Sequence, residues 1–157
     1  MMGTVYVQEV KTTNSLTCYA DVSMRTWKKN MVMSNTGVDK MGLDQYIWYT
    51  ENDIKKEIYC RKMNWLRFWM INNTELQPAD NCVEVEVPIT KVKKLINDCE
   101  YVLIHKDEAS TILPTIDGFF FGSTEYDEDY YNDVEYVKSK LQAIINLNTK
   151  ITYADWW

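Results

Sequence analysis

The sequence predicts an α+β fold in which about three helices pack on a mostly antiparallel sheet. Three segments carry apolar residues at helical spacing, and short strand-like segments lie between them. In residues 82–87, Val83, Val85 and Val87 point to one face and Cys82, Glu84 and Glu86 to the other. A strand with a single apolar face belongs to a sheet with one solvated side, which argues against a doubly wound parallel sheet. At 157 residues the chain has the length of one ordinary domain. It can bury roughly two-thirds of its unfolded surface without help from disulfides or metal.

The elements follow in order. Residues 4–10 and 16–22 read as a hairpin across the polar turn 12–15, and Asn35, Thr36 and Gly37 as a further turn. Residues 1–40 are thus expected to form an N-terminal extension packed on the core, and residues 41–157 an α+β domain, the whole being one folding unit. Residues 43–49 alternate as a strand, with Leu43, Gln45, Ile47 and Tyr49 on one face. Thr50 to Asp53 have the spacing of a capping box. They predict a helix over 51–71 with Ile54, Ile58, Trp65 and Trp69 inward, joined by Met63, Leu66 and Met70. Residues 77–81 read as a loop and 82–87 as a strand that Pro88 stops. Thr90 is the expected cap of a second helix with Val92, Leu95, Ile96, Cys99, Val102 and Leu103 on its core face. His105 follows it and answers the negative end of its dipole. Residues 116–118 read as a turn into a short strand 119–121, with Phe119 and Phe121 inward and Phe120 on the opposite face. Ser123 or Thr124 is the expected cap of a last helix over 127–146, which places Tyr130, Val134, Val137, Leu141, Ile144 and Ile145 inward. Residues 151–157 read as a terminal strand.

Composition excludes several functions. The chain is 46% hydrophobic and 25% charged, as soluble globular proteins are. No uncharged apolar window is long enough to span a membrane, and no basic segment leads into an apolar run, so a cytoplasmic location is expected. Cys18, Cys60, Cys82 and Cys99 form no CxxC and are expected to be reduced and mostly buried. His105 is the only histidine, which removes His-rich zinc sites and HExxH chemistry. Five glycines make neither a GxGxxG nor a P-loop. No serine sits in a GxSxG elbow. The net charge of −6 weighs against direct nucleic-acid binding, although Tyr59, Arg61, Lys62, Trp65, Arg67, Phe68 and Trp69 would interleave aromatics and cations on the first helix.

The charge is concentrated. Between Asp107 and Val137 stand nine carboxylates and no Lys or Arg. Within that stretch Ser123, Thr124, Glu125, Tyr126, Asp127, Glu128, Asp129, Tyr130 and Tyr131 form the densest polar block, and they are the candidate binding residues together with Trp156 and Trp157. Tyrosine and tryptophan anchor interfaces, and carboxylates steer toward a basic protein face. The expected function is therefore binding without catalysis, the partner being another protein or a second copy of the chain. Trp156 and Trp157 would close a homodimer in the second case. The alternative is a metal-dependent phosphoesterase or nuclease with Mg²⁺ as cofactor, for which Glu125 and Asp129 are the candidate ligands. A further alternative is a protein that binds or sequesters a small nucleotide between subunits.

Four segments carry a resemblance. They are Met41-Gly42-Leu43-Asp44 with Gln45-Tyr46-Ile47, Tyr59-Cys60-Arg61-Lys62-Met63-Asn64, Leu113-Pro114-Thr115 through the Gly118–Glu128 block, and the aromatic tail. Together they resemble a family of small phage and prophage proteins that begin at an MGLD-like segment, so the resemblance covers residues 41–157. Cys60 and the Asp155-Trp156-Trp157 ending depart from the Tyr-Trp-Arg-Lys run and Ser-Ser-Trp ending usual there. The resemblance brings no reaction and no catalytic residue. It implies a phage accessory protein acting in the cytoplasm of the infected bacterial host, so that the protein partner expected from the acidic block is a host protein.

Overall fold

The computed structural model describes residues 42–157; the expected hairpin over 4–22 and the turn at 35–37 lie outside them. Strand β1 (Asp44–Glu51) turns back directly into β2 (Ile54–Arg61). Helix α1 (Asn64–Asn73), the two-residue strand β3 (Val85–Glu86) and helix α2 (Ile89–Ile104) follow. A 3₁₀ turn (Lys106–Glu108) leads into the single-turn α3 (Ala109–Ile112). A long loop then reaches α4 (Glu128–Ile144), and β4 (Thr152–Trp156) completes the sheet. The four strands run in the order β2-β1-β4-β3, and every neighbouring pair is antiparallel. The fold is α+β, as the one-sided strand pattern requires.

The expected helix over 51–71 is divided. Its first half is β2, and α1 begins only at Asn64. Glu51 pairs with Ile54 across Asn52 and Asp53, which have φ of +52° and +61°. That is a two-residue hairpin of the type I′ class, whose positive φ suits Asn and Asp and matches the strand twist. The Thr50–Asp53 spacing therefore marks a turn rather than a capping box. Ile54, expected inward, is 61% exposed at the hairpin tip. Tyr59 and Arg61 stand on β2, so the expected aromatic and cationic stripe on one helix does not form. The strand expected over 82–87 shortens to Val85–Glu86, although Val85 and Val87 still point into the core and Val83 is exposed.

Ile47, Ile58, Cys60, Val85 and Tyr153 project from one sheet face into the core beneath the helices. Trp65, Trp69, Leu95, Val134 and Leu141 meet them there, none more than 4% exposed. Each such side chain contributes about 1.5–3 kcal/mol by leaving water. The inward residues of α2 and α4 are those the periodicity selects, except that Leu103 and Ile145 are only partly covered. On the opposite sheet face Tyr46 and Trp48 stack at 5.6 Å, and Trp156 packs edge-on against Tyr46 at 4.7 Å.

A polar chain runs through the interior beside this core. Gln45 Nε2 donates to Tyr153 Oη at 2.9 Å, and Tyr153 Oη donates to Asp155 Oδ2 at 3.0 Å. Asp155 pairs with Arg67, and both side chains are essentially dry, at 0% and 1% exposure. Arg67 Nη2 also donates to the carbonyls of Pro78 and Asp80, at 3.1 and 3.0 Å. Gln45 Oε1 accepts from the amide of Met63 at 3.1 Å and so supplies a partner that α1, which lacks a side-chain cap, does not provide itself. Burial raises the Asp155 carboxyl above its ordinary range despite the guanidinium beside it.

Candidate functional site

β2 ends at Arg61, and the chain must reverse into α1 within two residues. Lys62 makes that reversal with φ +58°, its amide donating to Leu43 O at 2.7 Å. Asn64, buried at the start of α1, reaches across to the loop before α4. Its Nδ2 donates to Ser123 O at 2.8 Å and to Phe121 O at 3.3 Å. Gly122, between those two carbonyls, passes directly over Lys62 with φ +98°. A Cβ on it would stand 2.9 Å from both Lys62 Cβ and Lys62 O, so the close approach requires glycine.

The same loop is fastened on its other side. Tyr130 Oη donates to Leu113 O at 2.8 Å, and Thr115 Oγ1 donates to Thr124 O at 3.0 Å. The expected strand over 119–121 does not form. Gly118 to Phe121 make a tight turn, with the Phe121 amide on Gly118 O at 3.1 Å and Phe120 at φ +64°. Asp117 Oδ1 accepts from the Gly118 amide at 2.9 Å, a local bond that competes with strand pairing. Phe121 is buried as expected, but Phe119, expected inward, is 82% exposed.

The cap of α4 also differs from expectation. Ser123 Oγ accepts from the Glu125 amide at 3.1 Å, inside the loop. The carbonyls of Ser123 and Thr124 are held by Asn64 and Thr115, which keeps the chain from coiling there. The helix starts instead behind Asp127, whose Oδ1 accepts from the Tyr130 amide at 3.0 Å. Such a cap is worth about 1 kcal/mol.

Between these parts lies a cavity of about 180 Å³. Arg61, Lys62, Asn64 and Trp65 line it from the β2–α1 side. Gly122, Ser123 and Glu125 line it from the loop, and Asp127, Asp129, Tyr130 and Asp133 from α4. Five residues of the acidic block that the sequence singles out are therefore brought together: Ser123, Glu125, Asp127, Asp129 and Tyr130. Four others are not in the lining. Thr124 and Tyr126 are engaged with Thr115, and Glu128 is exposed in the first turn of α4. Tyr131 Oη donates to Lys106 O at 3.1 Å, which ties it to the 3₁₀ turn. Trp156 belongs to the aromatic cluster on the opposite sheet face. Trp157 is half-exposed, but its amide donates to Asn81 Oδ1 and its indole to Asp80 O.

Sequence reasoning missed Arg61, Lys62, Asn64, Trp65, Gly122 and Asp133 as parts of this site. Only Asp133 carried a usable signal, its i,i+4 spacing from Asp129 along α4. Asn64 and Trp65 matter through atoms that no pattern marks. Asn64 Oδ1 and Trp65 Nε1 are buried and have no hydrogen-bond partner among the described residues. Each such atom costs about 1–3 kcal/mol while it stays unpaired.

The charges on the lining are unequal, four carboxylates against two cations. Arg61 also lies 3.8 Å from Asp44. Burial, reinforced by Asp129 and Asp127, pushes the Asp133 carboxyl up to about 6. Glu125, Arg61 and Lys62 are the other charged groups of the cavity, and the nearby Cys60 thiol is pushed up to about 12 by its burial, with a smaller push from Asp133. The folded protein therefore holds a proton on Asp133 between about pH 4 and 6 where the unfolded chain, near the ordinary carboxylate value, has released it. More protons bound in the folded state means that stability falls as pH rises through that window. Asp133→Asn is expected to remove this part of the slope. Thermal melts of variant and parent should agree near pH 4 and diverge above pH 6, with the variant more stable. Parallel melting curves across the whole range would contradict the assignment.

Although Glu125 and Asp129 both line the cavity, no three Asp, Glu, His or Cys side chains among the described residues are grouped closely enough to hold a metal ion. Cys60, Cys82 and Cys99 are free thiols, Cys60 and Cys99 buried and Cys82 half-buried, while Cys18 lies outside the described residues. His105 closes α2, its amide on Tyr101 O and its ring 4.4 Å from that of Tyr101. No helix among the described residues is long and apolar enough to cross a membrane. Comparisons with family models, with curated proteins and with solved structures return no match.

Proposed function

We propose that this is a phage accessory protein that binds and modulates a host protein in the cytoplasm of the infected bacterium, without catalysis of its own. The observation that carries the reading is the convergence of Glu125, Asp127, Asp129 and Asp133 around one opening beside Trp65 and Tyr130. A carboxylate-rich opening backed by aromatic rings favours a basic protein face, which it attracts at long range and holds at short range. The phage setting rests on the resemblance of residues 41–157.

The test is affinity capture from a bacterial lysate with the parent and a Glu125→Lys/Asp129→Lys variant, which spares the cap at Asp127. The reading expects one protein retained in stoichiometric amount by the parent alone, and released as salt is raised. Retention that survives the charge reversal would overturn it. So would eluates holding only the chain itself, which favours self-assembly, or a bound nucleotide, which favours sequestration. Turnover of phosphoesters by the purified protein with Mg²⁺ would replace it with the enzyme.

A further inference from the structure

Asn64 and Trp65 are adjacent, lie at 1% and 2% exposure, and both line the cavity. One leaves a carbonyl acceptor unpaired and the other an indole donor. Unpaired polar atoms at such depth are uncommon in folded proteins and ask for a partner that the described residues do not supply. The cavity holds several water volumes, enough for a small planar group. Around it the carboxylates outnumber the cations, and one of the cations, Arg61, is shared with Asp44. The rings of Trp65 and Tyr130 stand edge to face at 6.2 Å.

We propose that the cavity is a guanidinium site, which takes a single arginine side chain of the protein partner. This rests on the binding reading above and names the group recognised. A guanidinium offers a rigid fork of five N–H donors, matching the paired carboxylates Asp129 and Asp133 and the carbonyl of Asn64. Its flat, weakly hydrated face suits a lining that includes the largely buried side chains of Trp65 and Tyr130. An ammonium group has the charge without the fork or the face. Trp65 Nε1, a donor, is left for an oxygen that enters with the cation, and the peptide carbonyl of an arginine residue supplies one. A free guanidinium compound does not.

The test is titration of the full chain with N-acetyl-arginine-N-methylamide, the corresponding lysine compound and ethylguanidine, followed by ¹H–¹⁵N NMR. The Trp65 indole and Asn64 amide signals are identified by their loss in Trp65→Phe and Asn64→Asp. Saturable shifts of both signals are expected with blocked arginine, at an affinity about tenfold above blocked lysine and above ethylguanidine. Asp129→Asn, a change at the exposed mouth, should weaken binding severalfold while leaving the fold intact by its spectrum. Equal binding of arginine and lysine would overturn the guanidinium assignment, as would shifts produced by Mg²⁺ but not by arginine. No shift at all would mean a cavity filled by water. If ethylguanidine binds as tightly as blocked arginine, a free small molecule replaces the protein as the source. Host-protein capture without arginine binding would refute this inference alone. Arginine binding without any captured protein would refute the partner reading alone.

Discussion

Arg67→Met is expected to cost about 3–5 kcal/mol, because it leaves Asp155 buried without its countercharge. Both side chains are dry, and Tyr153, Gln45 and the carbonyls of Pro78 and Asp80 are oriented around the pair. The loss would consume a large part of the 5–15 kcal/mol by which domains are ordinarily stable. Urea unfolding at pH 7 measures it. Most of the loss should return in Arg67→Met/Asp155→Leu, since an apolar pair no longer strands a charge. A single variant as stable as the parent would show that the pair contributes nothing net.

Gly122→Ala is expected to cost on the order of 2–3 kcal/mol, a positive-φ penalty plus a collision. The added methyl would meet Lys62 O at 2.9 Å, and backbone cannot swing aside as a side-chain tip can. The loop must lift, and Asn64 then loses its bonds to Phe121 O and Ser123 O. The cavity should open with it, so the Asn64 side-chain amide signal should move toward that of a solvated amide. Gly42→Ala is the control, since its methyl would press on the end of the Lys62 side chain at 3.2 Å and meet backbone, Phe120 O, only at an ordinary 3.6 Å. If both alanines are tolerated alike, the crossing at Gly122 is not tight.

The α+β class was readable because Val85 and Val87 share one face, which the core covers, although Val83, two residues earlier, stands exposed. α2 and α4 were readable because their apolar stripes persist over four turns or more. The β1–β2 hairpin was not. Ile54 and Ile58 are four apart, a spacing that suits one helix face and equally one strand face, so the helical stripe continued into β2 without contradiction. Cys60, two residues beyond Ile58 and inward, was the period-two signal that distinguished them. The acidic half of the cavity was visible as composition. Its other half lies some sixty residues earlier in the chain, as the bond from Asn64 to Ser123 shows, and local patterns carry no information about such contacts.

The placement of β4 between β1 and β3 has a consequence for how the protein is made. Gln45 and Tyr153, bonded across the β1–β4 pair, are 108 residues apart. A ribosome adds about 5–20 residues per second, so β1 emerges roughly 5–20 s before its central neighbour exists. During that interval the edge of β1 that β4 will pair stays open, beside the apolar face carrying Ile47, Ile58 and Cys60. Unpaired edges of that kind recruit other chains. Nascent chains of this protein should therefore engage chaperones or aggregate while translation is slow, and be released from that hazard when residues 152–156 leave the tunnel.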